Sequence, residues 1–251
     1  MPFSAAEERR LPGTHLIRSA RWACPALALA SLPVAARAPV RPQQGSPTWT
    51  LETVLKQLDS EAKAFRSLTA SIERTKVTVV VNDRSTESGL VYVRRDNKMR
   101  IDLTLPDART ILRDGDDLFV FHPRTKRLET YDLGKHRAEV NQFLLLGFGT
   151  SGGDLKKGYL VTMKGEPLLD KKKSVWLELT PKSAKVRNQI NKIHIWIDQA
   201  TWLPIQQRFF ETGSDDYFEI HYTNVVRNPR IPDSLFKQNW PKGVTRIKPN
   251  V

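Results

Sequence analysis

From Thr69 onward the hydrophobic residues of this chain recur at every second position, and the pattern holds for most of its 251 residues. Two is the period at which side chains alternate across a β-strand, so most of the chain is committed to sheet. The clearest run sets Met99, Ile101, Leu103 and Leu105 on one side against Lys98, Arg100, Asp102 and Thr104 on the other, one dry face and one wet. Similar runs stand at 77–81, 90–93, 118–121, 160–163, 175–179, 193–197 and 218–222. Between them lie short segments with turn chemistry at 82–85, 96–97, 114–117, 164–165 and 213–216. A parallel crossover needs about a dozen residues or more, so consecutive strands are expected to pair antiparallel. Hairpins in this number curl into a barrel or a deeply curved sheet, of roughly ten strands by the turn count.

Two segments break the pattern. Leu51, Val54, Leu55, Leu58, Ala62 and Phe65 recur at three- and four-residue spacing, which predicts an amphipathic helix with Glu52, Lys56, Asp59 and Lys63 toward water. Residues 139–146 read as a short apolar helix followed by the glycine-rich stretch 147–153, the makings of a lid with a flexible exit or of ordinary core. With 39% hydrophobic and 27% charged residues a packed core is expected, in one domain from residue 49 to the end.

Near the start, Arg18 and Arg21 precede an apolar stretch to Ala36 that is short, interrupted by proline and ends in small residues. This reads as a signal peptide over residues 1–36, cleaved after Ala36, with residues 37–48 as a linker, and so as export of a soluble chain to the periplasm. Cys24 is the only cysteine, and it lacks the residues that precede a lipidation site, so the mature chain is expected to carry no disulfide, cysteine ligand or anchor there. Four arginines and two glutamates leave with residues 1–36, which lowers the net charge from +13 to +11. The basic residues are scattered and not interleaved with stacking aromatics, so an anionic membrane or lipopolysaccharide surface is a better counterpart than nucleic acid.

Motifs for catalysis are weak. Residues 147–152 fit G-x-G-x-x-G, but that fingerprint must follow a strand and open a helix, whereas here it follows an apolar helix and is expected to lead into a strand. Residues 149–153 fit G-x-S-x-G around Ser151, with Asp198 and His221 following in hydrolase order, yet flanking hairpins leave no room for the parallel sheet such an elbow needs. The five histidines, His194 among them on a wet face, show no metal-binding spacing and read as surface or turn residues. Residues 114–117 read as a turn, without the ligands of a calcium loop. What remains is a dry, curved interior with no catalytic constellation or cofactor motif, the profile of a binding module.

Several segments resemble the LolA family of outer-membrane lipoprotein carriers. They are the helix ending in residues 65–70 (Phe-Arg-Ser-Leu-Thr-Ala), then residues 88–95, 99–101, 111–123 and 177–181, and finally Phe236 with residues 241–244. The resemblance implies an incomplete, half-open antiparallel β-barrel with an N-terminal helix and a helical lid over a hydrophobic cavity. It also implies a carrier that takes lipoprotein acyl chains from an inner-membrane release complex to an outer-membrane acceptor, and the chain is expected to be a monomer. A lipid- or peptide-sensing regulator on the same fold is the alternative, and a serine hydrolase using Ser151 a minor one. The family's functional arginine lands on Arg95, although Asp96 follows where the family usually has proline, which leaves Arg94 as the other candidate. Alternation places Val91, Val93 and Arg95 on one face and Leu90, Tyr92 and Arg94 on the other; the family arginine selects the first as inward. Met99, Ile101 and Leu103 should then line the cavity, capped by Phe143 and Leu146, with Ile193, Ile195 and Ile197 as the far wall. A guanidinium at the rim has five donors and could hold lid carbonyls until ligand oxygens replace them.

Overall fold

A computed structural model of the chain describes residues 49–134 and 146–249. The regions expected to be signal peptide and linker, most of the expected lid helix, and Phe143 lie outside these residues.

Helix α1 spans Leu51–Ala64 and begins at a reciprocal cap: Thr50 Oγ1 accepts from the Thr53 amide, and Thr53 Oγ1 accepts from the Thr50 amide. Its buried stripe is Val54, Leu55, Leu58 and Ala62, as the spacing predicts. There follow β1 (Ser67–Thr78), β2 (Asp83–Arg94), β3 (Lys98–Leu105), β4 (Arg109–Asp114), β5 (Asp117–His122) and β6 (Arg127–Asp132), each hairpin-paired with the next. Helix α2 (Gly152–Gly158) leads into β7 (Tyr159–Gly165), the two-residue β8 (Leu168–Leu169) and β9 (Lys172–Pro181). After α3 (Ala184–Arg187) come β10 (Ile190–Asp198), β11 (Pro204–Glu211) and β12 (Tyr217–Arg227), then a 3-10 turn (Asp233–Phe236) and β13 (Thr245–Ile247).

The strands run β13-β6-β5-β4-β3-β2-β1-β12-β11-β10-β9-β7, with β8 beside β9. The fold is therefore mainly β, one large curled open sheet, with thirteen strands among the described residues where the turn count gave roughly ten. Pairing is antiparallel except between β13 and β6 at one edge, and the two hairpin arrays meet where β1 pairs with β12. Curling needs local bends, and β2 supplies one where its register with β3 shifts at Ser88/Gly89. A Cβ on Gly89 would stand 2.0 Å from the Asp102 carbonyl oxygen, so only glycine lets β3 approach there.

Three readings are corrected. Residues 77–81 do not form one strand: β1 stops at Thr78, and Val79, Val80 and Val81 form the hairpin turn, with Val80 90% exposed. The left-handed backbone of Asn82 (φ 49°) closes it, and the Asn82 amide donates to the Val79 carbonyl. His194 is no surface histidine; it is only 9% exposed, because Trp196 two residues along its own strand and Trp176 and Phe210 on the neighbouring strands close over it. The glycine-rich stretch leads into helix α2 before any strand.

The wet face of β3–β5 is also partly covered. Ile231, Phe236 and Trp240 of the C-terminal segment pack over Leu112, Phe119, Phe121 and Leu128, and Arg100 donates to the Leu235 carbonyl at 3.1 Å.

Candidate functional site

The sheet's inner face, the one that α1 crosses, carries the residues that alternation assigned to it. Val91, Val93, Met99 and Leu103 are buried there with Leu68, Ala70, Ile72 and Tyr222, and Ile101 packs partly buried beside them. Ile193, Ile195 and Ile197 are buried on the same face of the other array, with Val175, Leu177, Leu179 and Phe209. The cover is α1 together with residues 146–158: Val54, Leu55 and Leu58 of α1, Leu146 and Leu155 lie on the second group, and Phe65 and Phe148 on the first. Phe148 meets the Tyr222 ring edge to face at 5.1 Å. The sequence-predicted lining is thus brought together, and what occupies its surface is the protein's own cover.

Two groups of hydrogen bonds hold that cover down. The first closes the C-terminal end of α1, whose last carbonyls have no partner within the helix. Arg95, in the turn after β2, donates through Nη1 to the carbonyls of Ala62 (3.0 Å), Phe65 (3.3 Å) and Lys63 (3.4 Å). Arg66 Nη1 also donates to Lys63 and Phe65, and Arg227 Nη2 to Glu61 at 3.0 Å, while the Arg227 guanidinium pairs with the Glu61 carboxylate. Asn228 donates to the Ala64 carbonyl and accepts from the Arg66 amide. Three guanidiniums at this end of the helix also complement its dipole.

The second group is buried in the floor. Gln207 Nε2 donates to the Leu146 carbonyl at 2.6 Å, and the Tyr222 hydroxyl donates to the Gln207 Oε1 at 2.8 Å. Burial raises the Tyr222 pKa far above its ordinary 10.0, so the hydroxyl stays a donor.

Arg94 faces the other way. Its guanidinium bonds Asp96 and Asp233, donates to the Ile231 carbonyl and lies over the Phe236 ring, pinning the C-terminal segment to the outer face. The parity read from the family arginine therefore matches the placement of both arginines. Sequence reasoning missed Arg227, Asn228, Gln207 and Tyr222. The Asn-Pro step at 228–229 was a signal of a chain turn, but nothing marked Gln207, which reads as an ordinary polar position.

The hydrolase residues are not assembled. Ser151 caps α2 and its hydroxyl is bonded to Asp154, His221 on the outer face is bonded to Asp170, and Asp198 accepts from the Ala200 amide. Around the start of α2 the space beside the glycines is taken up by α1 and the residue that caps it, which leaves no room for a dinucleotide there: a Cβ on Gly149 would meet the Phe65 ring at 2.4 Å, and one on Gly152 the Leu55 carbonyl oxygen at 2.3 Å. A depression of about 480 Å³ lies over the bend at Gly89 on the outer face, walled by Ser71, Glu73, Ser88, Thr104 and His221. With Leu90 also in its wall, it opens on the face opposite the apolar floor and is a different surface from it. No helix among the described residues is long and apolar enough to cross a membrane.

Comparison with known proteins agrees with this architecture. A solved structure of an uncharacterized conserved protein from Thermus thermophilus superposes with a TM-score of 0.52 at 10% identity, covering 79% of this chain and 98% of that one. The outer-membrane lipoprotein carrier protein of Dechloromonas aromatica is 22% identical over 187 residues, 74% of this chain and 84% of its own length. That of Bordetella pertussis is 22% identical over 234 residues, 93% of this chain and 99% of its own. The family model described as "Outer membrane lipoprotein carrier protein LolA" matches residues 64–239, well over half the chain, and the chain belongs to that family.

Proposed function

We propose that the chain is a periplasmic carrier that receives the acyl chains of lipoproteins on the inner face of its sheet and passes them toward the outer membrane. The observation that carries this reading is an extensive apolar floor closed by a cover whose last helical turn is held by hydrogen bonds from Arg95, Arg227 and Asn228. In this reading acyl chains take the places of Phe65 and Phe148, and each methylene buried gains about 0.8 kcal/mol, which offsets the hydrogen bonds that opening breaks. Val91, Val93, Met99, Ile101, Leu103, Leu146, Ile193, Ile195 and Ile197 contact the ligand without polar specificity. Arg95 governs opening and release. Donor and acceptor are an inner-membrane release complex and an outer-membrane receptor, and the carrier works as a monomer after loss of residues 1–36.

The test is binding of a synthetic tri-acylated lipopeptide to the purified chain, followed by its transfer to outer-membrane vesicles. Saturable binding is expected, with Ile101→Asp loading poorly and Arg95→Leu loading but releasing slowly. Absence of saturable binding by the unaltered chain would overturn the proposal.

A further inference from the structure

Beyond Ile72 and Leu103 the inner face changes character. Arg74 on β1 stands directly across from Glu87 on β2, two positions along from the Ile72–Gly89 pair. Arg109, at the start of β4 and on the same face as its neighbour Leu103, reaches over to the same carboxylate. Its Nη1 lies 2.7 Å from one Glu87 oxygen and its Nη2 2.7 Å from the other, a two-pronged grip, and Arg74 Nη1 adds a third contact at 3.0 Å. Glu87 is the shielded member, its side chain 14% exposed against 32% for Arg74 and 25% for Arg109, so both cations keep a side open to solvent.

Three properties set this cluster apart from a surface ion pair. It has two fixed guanidiniums for one carboxylate and so holds a net positive charge, while the next cation on that face, Lys76, is paired with Glu211. It adjoins the apolar floor: the Arg74 guanidinium lies 4.8 Å from the Phe218 ring centre, and Phe218 stacks on the buried Phe209 at 4.6 Å. Its planar forks match the oxygens of a phosphate as well as those of a carboxylate.

We propose that Arg74 and Arg109 form a subsite for the phosphate of a phosphate-bearing lipid whose acyl chain lies on the neighbouring floor, with Glu87 as the resident anion that the phosphate displaces. The proposal rests on the carrier reading for the acyl part and adds a class of ligand, phospholipid-like molecules, to it. Glu87 keeps the two cations satisfied when no ligand is present and sets the threshold for exchange.

Two lipids with the same single oleoyl chain, lysophosphatidate and monooleoylglycerol, separate the head from the tail. In titrations of the full chain, lysophosphatidate is expected to bind about tenfold more tightly. The double substitution Arg74→Gln/Arg109→Gln should abolish that preference and leave monooleoylglycerol binding in place. Glu87→Gln should strengthen lysophosphatidate binding and not that of monooleoylglycerol, a gain that a purely structural ion pair would not give and that does not depend on the double variant folding. Equal binding of the two lipids by the unaltered chain and by Glu87→Gln would overturn the subsite and leave the carrier reading standing; binding of neither would overturn both. Inorganic phosphate binding as tightly as lysophosphatidate would mean a site for free anions and overturn the assignment to a lipid head.

Discussion

Gln207 Nε2 donates to the carbonyl of Leu146 across 2.6 Å in the buried floor of the sheet, so the segment that carries Phe148 and α2 is tied to strand β11 at its first described residue. Gln207→Leu would leave that carbonyl without its donor in an apolar setting and should lower stability by about 1–3 kcal/mol in urea unfolding. Tyr222→Phe, which removes only the hydrogen bond to Gln207, should cost less, about 0.5–1.5 kcal/mol. A Gln207→Leu chain as stable as the unaltered one would mean that this bond does not hold the segment.

Arg95 and Arg94 are adjacent in sequence and act on opposite faces. Arg95→Leu should speed hydrogen exchange in the last turn of α1 and lower stability by about 1 kcal/mol, since Ala62 loses the guanidinium that caps it. Arg94→Leu should instead speed exchange around residues 231–236. The reverse assignment, with α1 loosened by Arg94→Leu, would contradict the placement of both side chains.

His194 should make stability fall in mild acid. Trp176, Trp196 and Phe210 exclude water from the ring and Lys192 and Arg208 face it, so its pKa lies below the ordinary 6.5 although Glu178 on β9 pulls the other way. With a folded pKa below the unfolded one, the unfolded chain takes up the proton first as pH falls. The stabilising contribution is therefore whole above about 6.5 and is lost as pH drops through the folded value. Between about pH 7.5 and 5.5 the unaltered chain should lose more stability than His194→Gln, measured by urea unfolding at each pH. Equal losses would clear His194. Glu178, held below its ordinary 4.5 first by the hydrogen bond from His194, adds its own loss only below that range.

Gly152→Ala should destabilise by about 1–3 kcal/mol, because the new methyl meets the Leu55 backbone, which cannot move without the whole of α1. Gly153→Ala, one residue later, would meet nothing closer than 3.7 Å and should be close to neutral. Thermal melts of the pair make the comparison; equal melting temperatures would argue against close packing of α2 on α1.

The fold was legible wherever one physical rule acted alone. Alternation at Met99, Ile101 and Leu103 named a dry face, and the dry face is inner; the stripe through Val54, Leu55 and Leu58 named a helix, and it is buried. Where two rules competed, the pattern misled. Val79–Val81 has strand propensity but sits before Asn82, whose left-handed backbone makes the turn. His194 alternates as a wet residue, yet aromatic neighbours on other strands dry it. The ties of the cover were harder still, since Gln207 finds Leu146, 61 positions earlier, only after the chain between them has folded back. The C-terminal cover of Ile231, Phe236 and Trp240 has no period to read, because an irregular segment buries side chains one at a time.

The seam between β1 and β12 dictates an order of events as the polypeptide emerges. Leu68 pairs with Arg227, so the two hairpin arrays stay separate until almost the entire domain is available. Each array can zip locally, but neither alone has the other's apolar wall or the donors that Arg227 and Asn228 bring to α1. A nascent or truncated chain would therefore expose a greasy half-sheet to water and to its neighbours, which makes the interval before the seam closes the time when this molecule is most prone to aggregate.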